Sequence, residues 1–174
     1  MTNEPVPAKH PKPDTEPDTE PDTEADTEAD LRWLNECIEL SRRCPRSFTA
    51  YAVGSLIVSA DGDVLATGYS RETTPHDHAE EAALAKLSPG DPRLATATIY
   101  TSLEPCTTRA SRPRTCTTLI LAAGIPRVVF AWQEPTLFAD CTGTETLEAA
   151  GVRVTRFPEL TAAAREVNAH LFKK

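Results

Sequence analysis

The sequence lacks the features that place a protein in a membrane or outside the cell. No apolar run in its 174 residues approaches the length of a membrane-spanning helix, and residues 52–60, among the longest runs, already include glycine and serine. The N-terminus lacks the basic and then apolar pattern of a secretion signal. Five cysteines, an odd number, argue against a disulfide scaffold in such a chain. We therefore expect a cytoplasmic protein that makes no membrane contact.

Large apolar side chains are also absent from the segment that starts at Pro13. It reads PDTEPDTEPDTEADTEAD, with an acidic side chain at every second position. Such a segment cannot bury enough apolar surface to offset the entropy of ordering it, so we expect residues 1–30 to form a disordered acidic tail. They hold ten acidic residues and two lysines, which accounts for the whole net charge of −8. Residues 31–174, the expected folded domain, are therefore balanced in charge, which makes a nucleic-acid surface unlikely.

The folded part alternates between helical and strand patterns. Residues 30–44 predict a first helix, and residues 51–70 predict a hairpin around the turn dipeptide Asp61-Gly62. The remaining pattern predicts strands over residues 97–103, 127–132 and 152–157 and helices over residues 77–87, 115–124, 144–151 and 159–172. A hairpin followed by this alternation predicts an α/β fold, a three-layer α/β/α sandwich. Its sheet is mixed and five-stranded, with mostly parallel later strands.

Three metal-ligand side chains follow strands of this predicted sheet. His78 comes at the start of the helix after the hairpin, Cys106 at the end of a strand, and Cys116 at the start of the next helix. Sites in α/β sheets form beyond the carboxyl ends of strands, so we expect the three side chains to meet. One histidine and two cysteines suit Zn²⁺, one ion per chain, and leave the fourth tetrahedral position for water, as in a catalytic site.

Glu80 lies two residues after His78, beside the expected ligands. Because zinc lowers the pKa of a bound water to about 7, a carboxylate at this place can act as the proton shuttle of a hydrolytic reaction. His-x-Glu followed by Pro-Cys-x-x-Cys is the signature of zinc deaminases that act on nucleobases. Here nine residues, instead of two, separate Cys106 from Cys116. The pattern predicts a deaminase-type site with an enlarged loop.

Other interpretations of the histidines and cysteines stay open. The zinc could be structural, with His76 as a fourth ligand, although a second histidine so close to His78 would strain a tetrahedron. Cys37 and Cys44 are seven residues apart on the first predicted helix and are expected to be buried packing residues. Cys141 has no assigned role.

Motifs spread over most of residues 47–157 carry a family resemblance. They are TAYAVGSLIV (49–58), TGYSRE (67–72), HAEEAAL (78–84), SLEPC (102–106), the nine-residue gap between the cysteines, and the EP…TG…TLEAAGVRV run (134–154). In these motifs the chain resembles the cytidine deaminase superfamily and, within it, the deaminases of riboflavin biosynthesis. The similarity is greatest to the stand-alone fungal type, which acts on a diaminopyrimidinone phosphate.

The resemblance implies both a fold and an activity. The fold would be that of cytidine deaminases. The reaction would be hydrolytic removal of the 2-amino group from a 2,5-diamino-6-ribosylamino- or ribitylamino-pyrimidinone 5′-phosphate. His78, Cys106 and Cys116 would inherit the zinc-ligand roles, and Glu80 the role of proton shuttle.

Five further side chains are candidates for contacts with a small nucleotide-like substrate. Arg109, Arg112 and Arg114 lie in the loop between the two cysteines and either hold a phosphate, which arginine binds bidentately, or remain solvated. Glu134 either hydrogen-bonds the edge of an aminopyrimidine or caps the following segment. Tyr51 either stacks on a flat ring or packs under the hairpin.

Three alternative functions use the same metal site. The first is deamination of another nucleotide or nucleoside, such as dCMP or cytidine, and the second is deamination of a base in tRNA or single-stranded DNA. The third is a non-enzymatic protein in which zinc only holds the fold. A homodimer is possible, because relatives with this fold pair across a helical face and residues 119–124 would suit such pairing.

Overall fold

A computed structural model describes residues 23–133, 135 and 142–173. Its helices and strands in chain order are α1 (Glu24–Ser41), β1 (Gly54–Val58), β2 (Val64–Tyr69), α2 (Ala79–Leu84), β3 (Thr98–Leu103), α3 (Cys116–Ala123), β4 (Arg127–Trp132), α4 (Gly143–Ala149), β5 (Arg153–Arg156) and α5 (Thr161–Val167). The predicted order of elements is confirmed. The last predicted helix is shorter than expected, because 3-10 turns at Pro158–Leu160 and Ala169–Leu171 flank α5.

The strands of the described chain form one mixed sheet in the order β2-β1-β3-β4-β5. β1 is antiparallel to both β2 and β3, whereas β4 is parallel to β3 and to β5. The hairpin turn between β1 and β2 contains Gly62 with a φ of 85°, a conformation that glycine adopts without steric cost. The predicted mixed five-stranded sheet is therefore confirmed.

Helices cover both faces of this sheet. α1 and α5 pack on one face and α2, α3 and α4 on the other. Neighbouring residues of a strand point to opposite faces, so β1, β3 and β4 each contribute side chains to two separate cores. The first core includes Leu34, Ile38, Leu56, Val58, Tyr100 and Val129, and the second includes Ile57, Ile99, Ile120, Ile125, Val128 and Leu147. The three-layer prediction is confirmed. In the part of the chain that the structure describes, no helix has the length and apolar character needed to cross a membrane.

Helix α1 begins earlier than the sequence predicted. The Thr23 hydroxyl accepts a hydrogen bond from the Asp26 N–H at 3.2 Å, and the Asp26 carboxylate accepts one from the Thr23 N–H at 2.9 Å. This reciprocal capping box satisfies two N–H groups at the helix start. The predicted end of the acidic tail at residue 30 is therefore wrong, because residues 24–30 form the first two turns of α1.

The end of α1 separates the two cysteines that were expected on it. Cys37 is fully buried in the first core, as predicted. Cys44 lies beyond the helix, which ends at Ser41, and its thiol donates a hydrogen bond to the Val53 carbonyl at 3.4 Å. The prediction that Cys44 belongs to the helix is wrong, because the chain turns towards β1 after Ser41.

Gly68 determines how closely α2 approaches the sheet. A Cβ atom at Gly68 would overlap the Ala79 carbonyl oxygen and the Ala83 backbone nitrogen. The absence of a side chain on β2, together with the small alanines of α2, lets the first turn of this helix lie directly on the strand. This contact fixes the position of His78, the residue that precedes α2.

Candidate active site

Three side chains from different elements meet beyond the C-terminal end of β3. His78 precedes α2, Cys106 follows β3, and Cys116 is the first residue of α3. The Nδ1 atom of His78 lies 3.5 Å from the Sγ atom of Cys106 and 3.4 Å from that of Cys116. All three potential ligand atoms lie within 4.8 Å of one another. The sequence-based expectation that these residues are placed to hold a metal is confirmed.

The triangle of ligand atoms matches tetrahedral zinc. Zinc about 2.3 Å from sulfur and about 2.0 Å from nitrogen places a sulfur and a nitrogen ligand about 3.5 Å apart when the angle is tetrahedral. The observed separations of 3.5 and 3.4 Å agree with this value. Both cysteines are free thiols, so they do not form a disulfide. Within the described ranges His76 does not join the ligand group, so a structural site completed by His76 finds no support.

Hydrogen bonds hold the two cysteines together. The N–H and the hydroxyl of Thr117 both donate to the Cys106 carbonyl, each at 3.2 Å. The Cys116 N–H points at the Cys106 sulfur at 3.5 Å. The hydrogen bond from the Cys116 thiol lowers the pKa of Cys106, and the nearby His78 adds to this effect, although burial acts in the opposite direction. Cys106 is therefore prepared to act as a thiolate ligand.

The Glu80 carboxylate lies beside the ligand triangle and is almost completely buried. Its Oε1 accepts a hydrogen bond from the Thr101 hydroxyl at 3.1 Å, and its Oε2 lies 3.3 Å from the Cys116 sulfur. Burial raises the pKa of Glu80, and the negative charge of Cys106 adds to the increase. One oxygen is thus held by β3 while the other faces the ligands, as a proton shuttle requires.

His78, Glu80 and Cys106 line a cavity of about 830 Å³. Its other walls come from the segment before β1, from the start of the segment between β2 and α2, and from the loop between the cysteines. These residues include Arg46, Ser47, Thr49, Ala50, Tyr51, Val53, Ser70, Arg71, residues 75–77 and residues 108–111. This volume falls within the range of cavities that hold nucleotide-sized ligands. The candidate catalytic groups therefore lie in the wall of a cavity large enough for the substrate class that the sequence suggested.

Tyr51 lines this cavity and is also packed in the first core. Its ring meets the Trp132 ring edge to face, with centroids 5.4 Å apart. The position of Tyr51 is thus compatible with both expected roles, which are packing under the hairpin and stacking on a flat ring. Glu134 and Cys141 lie outside the described residues.

Asn168 holds the same wall in place from the far end of the chain. Its Oδ1 accepts from the Ala52 N–H at 2.7 Å, and its Nδ2 donates to the Ala52 carbonyl at 3.0 Å. The side chain is buried and also donates to the Ala164 carbonyl. Sequence reasoning missed Asn168, because its partner lies 116 residues away and no local pattern reveals such a contact.

Arg109 is held by neighbouring protein groups. Its side chain is only 2% exposed, and both of its terminal nitrogens donate to the Glu81 carboxylate at 3.1 Å. It also donates to the His76 carbonyl at 2.6 Å. These two partners lie on either side of His78 in the chain. Arg109 therefore ties the loop between the cysteines to the segment that carries the third ligand.

Arg112 makes a second connection of the same kind. It donates to the Asp77 carboxylate at 2.9 Å and to the Thr74 hydroxyl at 3.0 Å. Although partial burial of Asp77 acts to raise its pKa, the hydrogen bonds from Thr74 and Thr73 and the charge of Arg112 lower it overall. Arg114 is exposed and is not among the residues that line the cavity. The three arginines thus differ in their surroundings, which the sequence did not reveal.

Comparison with known proteins agrees with this geometry. Residues 27–132 match the family described as the cytidine and deoxycytidylate deaminase zinc-binding region. A diaminohydroxyphosphoribosylamino-pyrimidine deaminase of Schizosaccharomyces pombe is 37% identical over 126 residues, which are 71% of this chain and 30% of that protein. The riboflavin biosynthesis protein RibD of Aquifex aeolicus is 35% identical over 120 residues, 69% of this chain and 32% of that protein. The chain thus spans about a third of the length of these curated relatives.

Solved structures show the same architecture. The crystal structure of a C-terminal deletion mutant of Aspergillus oryzae Rib2 deaminase superposes with a TM-score of 0.69 at 25% sequence identity. The superposition covers 79% of this chain and 89% of the Aspergillus chain. The mixed sheet and its helical layers are therefore shared with a deaminase over nearly the whole of that domain.

Proposed function

This chain belongs to the family of the cytidine and deoxycytidylate deaminase zinc-binding region, and from that premise we propose that it is a zinc-dependent hydrolase that deaminates a pyrimidine-type ring. The observation that carries the proposal is the triangle of His78, Cys106 and Cys116 with the Glu80 carboxylate beside it. The proposed substrate is a 2,5-diamino-6-ribosylamino- or ribitylamino-pyrimidinone 5′-phosphate, a class supported by the name of the Schizosaccharomyces relative.

The metal would be held by His78 Nδ1, Cys106 Sγ and Cys116 Sγ. When bound, zinc supplies Lewis-acid chemistry that lowers the pKa of water to about 7 and so makes it a nucleophile at neutral pH. The hydrogen bonds from Thr117 to the Cys106 carbonyl and from the Cys116 N–H to the Cys106 sulfur hold the two cysteines next to each other. The chain thus presents the ligands in a fixed arrangement and does not need to reorganise when the metal binds.

Glu80 would move the protons of the reaction. Thr101 holds Oε1, so Oε2 is the atom available to take a proton from the attacking water as its oxygen bonds to the ring carbon that bears the amino group. Glu80 then gives this proton to the neighbouring ring nitrogen. In the second half of the reaction it takes a second proton from the hydroxyl now on the ring carbon and gives it to the departing amine. The carbon–nitrogen bond breaks, ammonia leaves, and a ring carbonyl remains. Atoms and protons balance with one water consumed for each ammonia released.

Ammonia release tests the substrate assignment. The zinc-loaded full chain is incubated with the diaminopyrimidinone 5′-phosphate and, separately, with dCMP and with tRNA. We expect ammonia from the first substrate only. The dCMP arm is needed because the family description also covers deoxycytidylate deaminases. Turnover of dCMP alone would move the assignment to that substrate, and turnover of tRNA alone would show that the charge-balanced surface does not exclude nucleic acid.

The partner that we propose for the cavity is a small molecule. A homodimer is a second proposal, which the molar mass in solution tests. Leu119 and Leu121 on α3 are only partly buried within the chain, which leaves apolar surface on that helix for pairing. Light scattering of the zinc-loaded protein decides between a monomer and a dimer. A monomeric mass at high protein concentration would rule out the dimer.

A further inference from the structure

Arg71 differs from Arg109 and Arg112 in forming no ion pair with a carboxylate of the described residues. Its Nε and Nη2 donate to the Pro45 carbonyl at 2.9 and 2.8 Å, and its Nη1 donates to the Tyr51 carbonyl at 3.0 Å. Across residues 23–133, 135 and 142–173, no carboxylate forms an ion pair with it. In the described part of the chain, the half-buried positive charge of Arg71 is thus stabilised by the neutral carbonyls of Pro45 and Tyr51.

This charge faces the cavity that holds the candidate catalytic groups. Arg71 lines the same cavity as His78 and Glu80. A guanidinium group has five N–H donors, and three of the Arg71 donors are used by the carbonyls of Pro45 and Tyr51. The two others, one on each terminal nitrogen, are left for a ligand. Because a partly buried cation is stabilised by a counter-charge, an anion in the cavity would complete its surroundings.

The backbone at Arg71 also has an unusual conformation. Its φ is 62°, and among the described residues it is the only position other than glycine with a positive φ. A hydrogen bond from its N–H to the Asp77 carbonyl at 2.8 Å holds it there. Such conformations are uncommon for side chains like arginine, and they cluster at functional sites, where the surrounding contacts maintain them.

The other arginines of the cavity region divide into two groups. Arg109 and Arg112 are neutralised by Glu81 and by Asp77. Arg46 lines the cavity as well, and its guanidinium lies 5.0 Å from the Phe48 ring without an acidic partner in the described part of the chain. Of the arginines that line the cavity, Arg71 and Arg46 are therefore the two without a carboxylate partner in the described part of the chain. Both lie outside the loop between the cysteines.

We propose that Arg71, assisted by the exposed Arg46, forms a subsite for the phosphate monoester of the substrate. The identity of the ligand rests on the proposed function, whereas the subsite itself rests on the unpaired charge, the free donors and the backbone conformation of Arg71. The two N–H groups that remain can bind two phosphate oxygens, as arginine does in bidentate contacts. Arg109 and Arg112 then serve to hold the segment that carries His78 instead of the substrate.

Two variants of Arg71 test the subsite. Arg71→Gln removes the charge, and Arg71→Gly also removes it but adopts a φ of 62° without strain, so it guards against a folding defect. Each variant is assayed with the phosphorylated substrate and with the same compound after phosphatase treatment. We expect kcat/KM for the phosphorylated compound to fall roughly 10- to 100-fold and that for the dephosphorylated compound to stay within about two-fold. A purely structural role would lower both to the same degree.

Matched variants separate this subsite from the loop arginines and from a general charge effect. Arg93→Gln removes an arginine that lies outside the cavity and pairs with Asp91, and it should leave both rates unchanged. Arg112→Gln removes a neutralised arginine and should keep the wild-type preference for the phosphorylated compound. If Arg112→Gln loses that preference while both Arg71 variants keep it, the phosphate belongs to the loop and the proposal is overturned.

A binding experiment keeps this inference separate from the proposed function. Ribose 5-phosphate is titrated into the zinc-loaded full chain in a calorimeter, with no pyrimidine present. Binding that the two Arg71 variants weaken and Arg93→Gln does not weaken supports the subsite, even if no pyrimidinone is ever deaminated. Absence of binding to the wild-type chain, or equal binding to the Arg71 variants, overturns it even if deamination is observed.

Discussion

Asp30 and Arg127, which are 97 residues apart in the chain, form a buried bidentate ion pair. The two nitrogen–oxygen distances are 2.8 and 2.6 Å, and the Tyr100 hydroxyl donates to the same carboxylate at 2.8 Å. Burial raises the pKa of Tyr100, and the Asp30 carboxylate raises it further, so the hydroxyl keeps its proton for this contact. The cluster fastens α1 to β3 and β4, and with them to the sheet that positions His78, Cys106 and Cys116.

Replacing Asp30 should therefore destabilise the fold. Asp30→Ala removes the bidentate carboxylate partner of the buried Arg127 guanidinium and the acceptor of the Tyr100 hydroxyl, and we expect the free energy of unfolding to fall by about 3–5 kcal/mol. Chemical denaturation measures this value, with Glu36→Ala on the exposed face of the same helix as the control.

A chain shortened to begin at residue 23 should keep its stability, and one that begins at residue 31 should lose it. Equal stability of the two shortened chains would contradict the role of Asp30.

Glu80→Gln should remove turnover and leave the metal site in place. An amide cannot take up and release the proton, so we expect kcat to fall about 10²- to 10⁴-fold. The zinc content and the melting temperature should stay near the wild-type values, because Thr101 can still donate to the side-chain oxygen. Glu145→Gln, at an exposed position on α4, is the control. Loss of zinc and of stability with no activity to lose would instead indicate a structural metal.

Loss of one sulfur ligand should release the metal. Cys106→Ser should lower the zinc content from one per chain towards zero. Cys44→Ser should keep the zinc content, because the Cys44 thiol donates its hydrogen bond to the Val53 carbonyl and is not part of the ligand triangle. Treating the wild-type protein with a chelator should lower its melting temperature, and added zinc should restore it, because binding to the folded state alone stabilises that state. Metal analysis and thermal unfolding give both results. Full zinc content in Cys106→Ser would contradict the assigned ligands.

Arg109→Ala should weaken zinc binding without touching a ligand. The substitution breaks the contacts to Glu81 and to the His76 carbonyl that connect the cysteine loop to the segment carrying His78. Contacts that orient the residues around a metal without touching it change metal affinity by about 10- to 100-fold. Competition with a coloured chelator measures the affinity, and Arg114→Ala in the same loop is the matched control. The same affinity in both variants would show that the Glu81 contact does not hold the site.

Asn168→Ala should affect substrate binding more than the chemical step. It leaves the N–H and carbonyl groups of Ala52 without their side-chain partner, at a cost of about 1–3 kcal/mol for each buried group. We expect a higher KM, because the cavity wall that contains Tyr51 loosens, while kcat changes little because Glu80 is untouched. Asn35→Ala on the exposed face of α1 is the control. A fall in kcat at unchanged KM would assign Asn168 a different role.

The sequence was sufficient for most of the secondary structure and for the three residues that are placed to hold a metal. Strand and helix patterns are local, and the motif around His78 and Glu80 lies within three residues. Cys106 and Cys116 follow because β2 and β3, both antiparallel to β1, run in the same direction and therefore end at the same edge of the sheet. Residues 24–30 were misassigned, because the acidic repeat has no apolar period and its helix depends on a capping box and on the pairing of Asp30.

What the sequence by itself determined is thus the order of elements, the three residues placed to hold a metal and the family, since each depends on residue types at short spacing. Only the tertiary structure decided which charges pair. Arg71, Arg109 and Arg112 are the same residue type, yet two meet carboxylates and one faces the cavity among carbonyls. Whether an arginine holds a loop or faces a ligand depends on groups that are distant in sequence and are brought within a few ångströms only by folding.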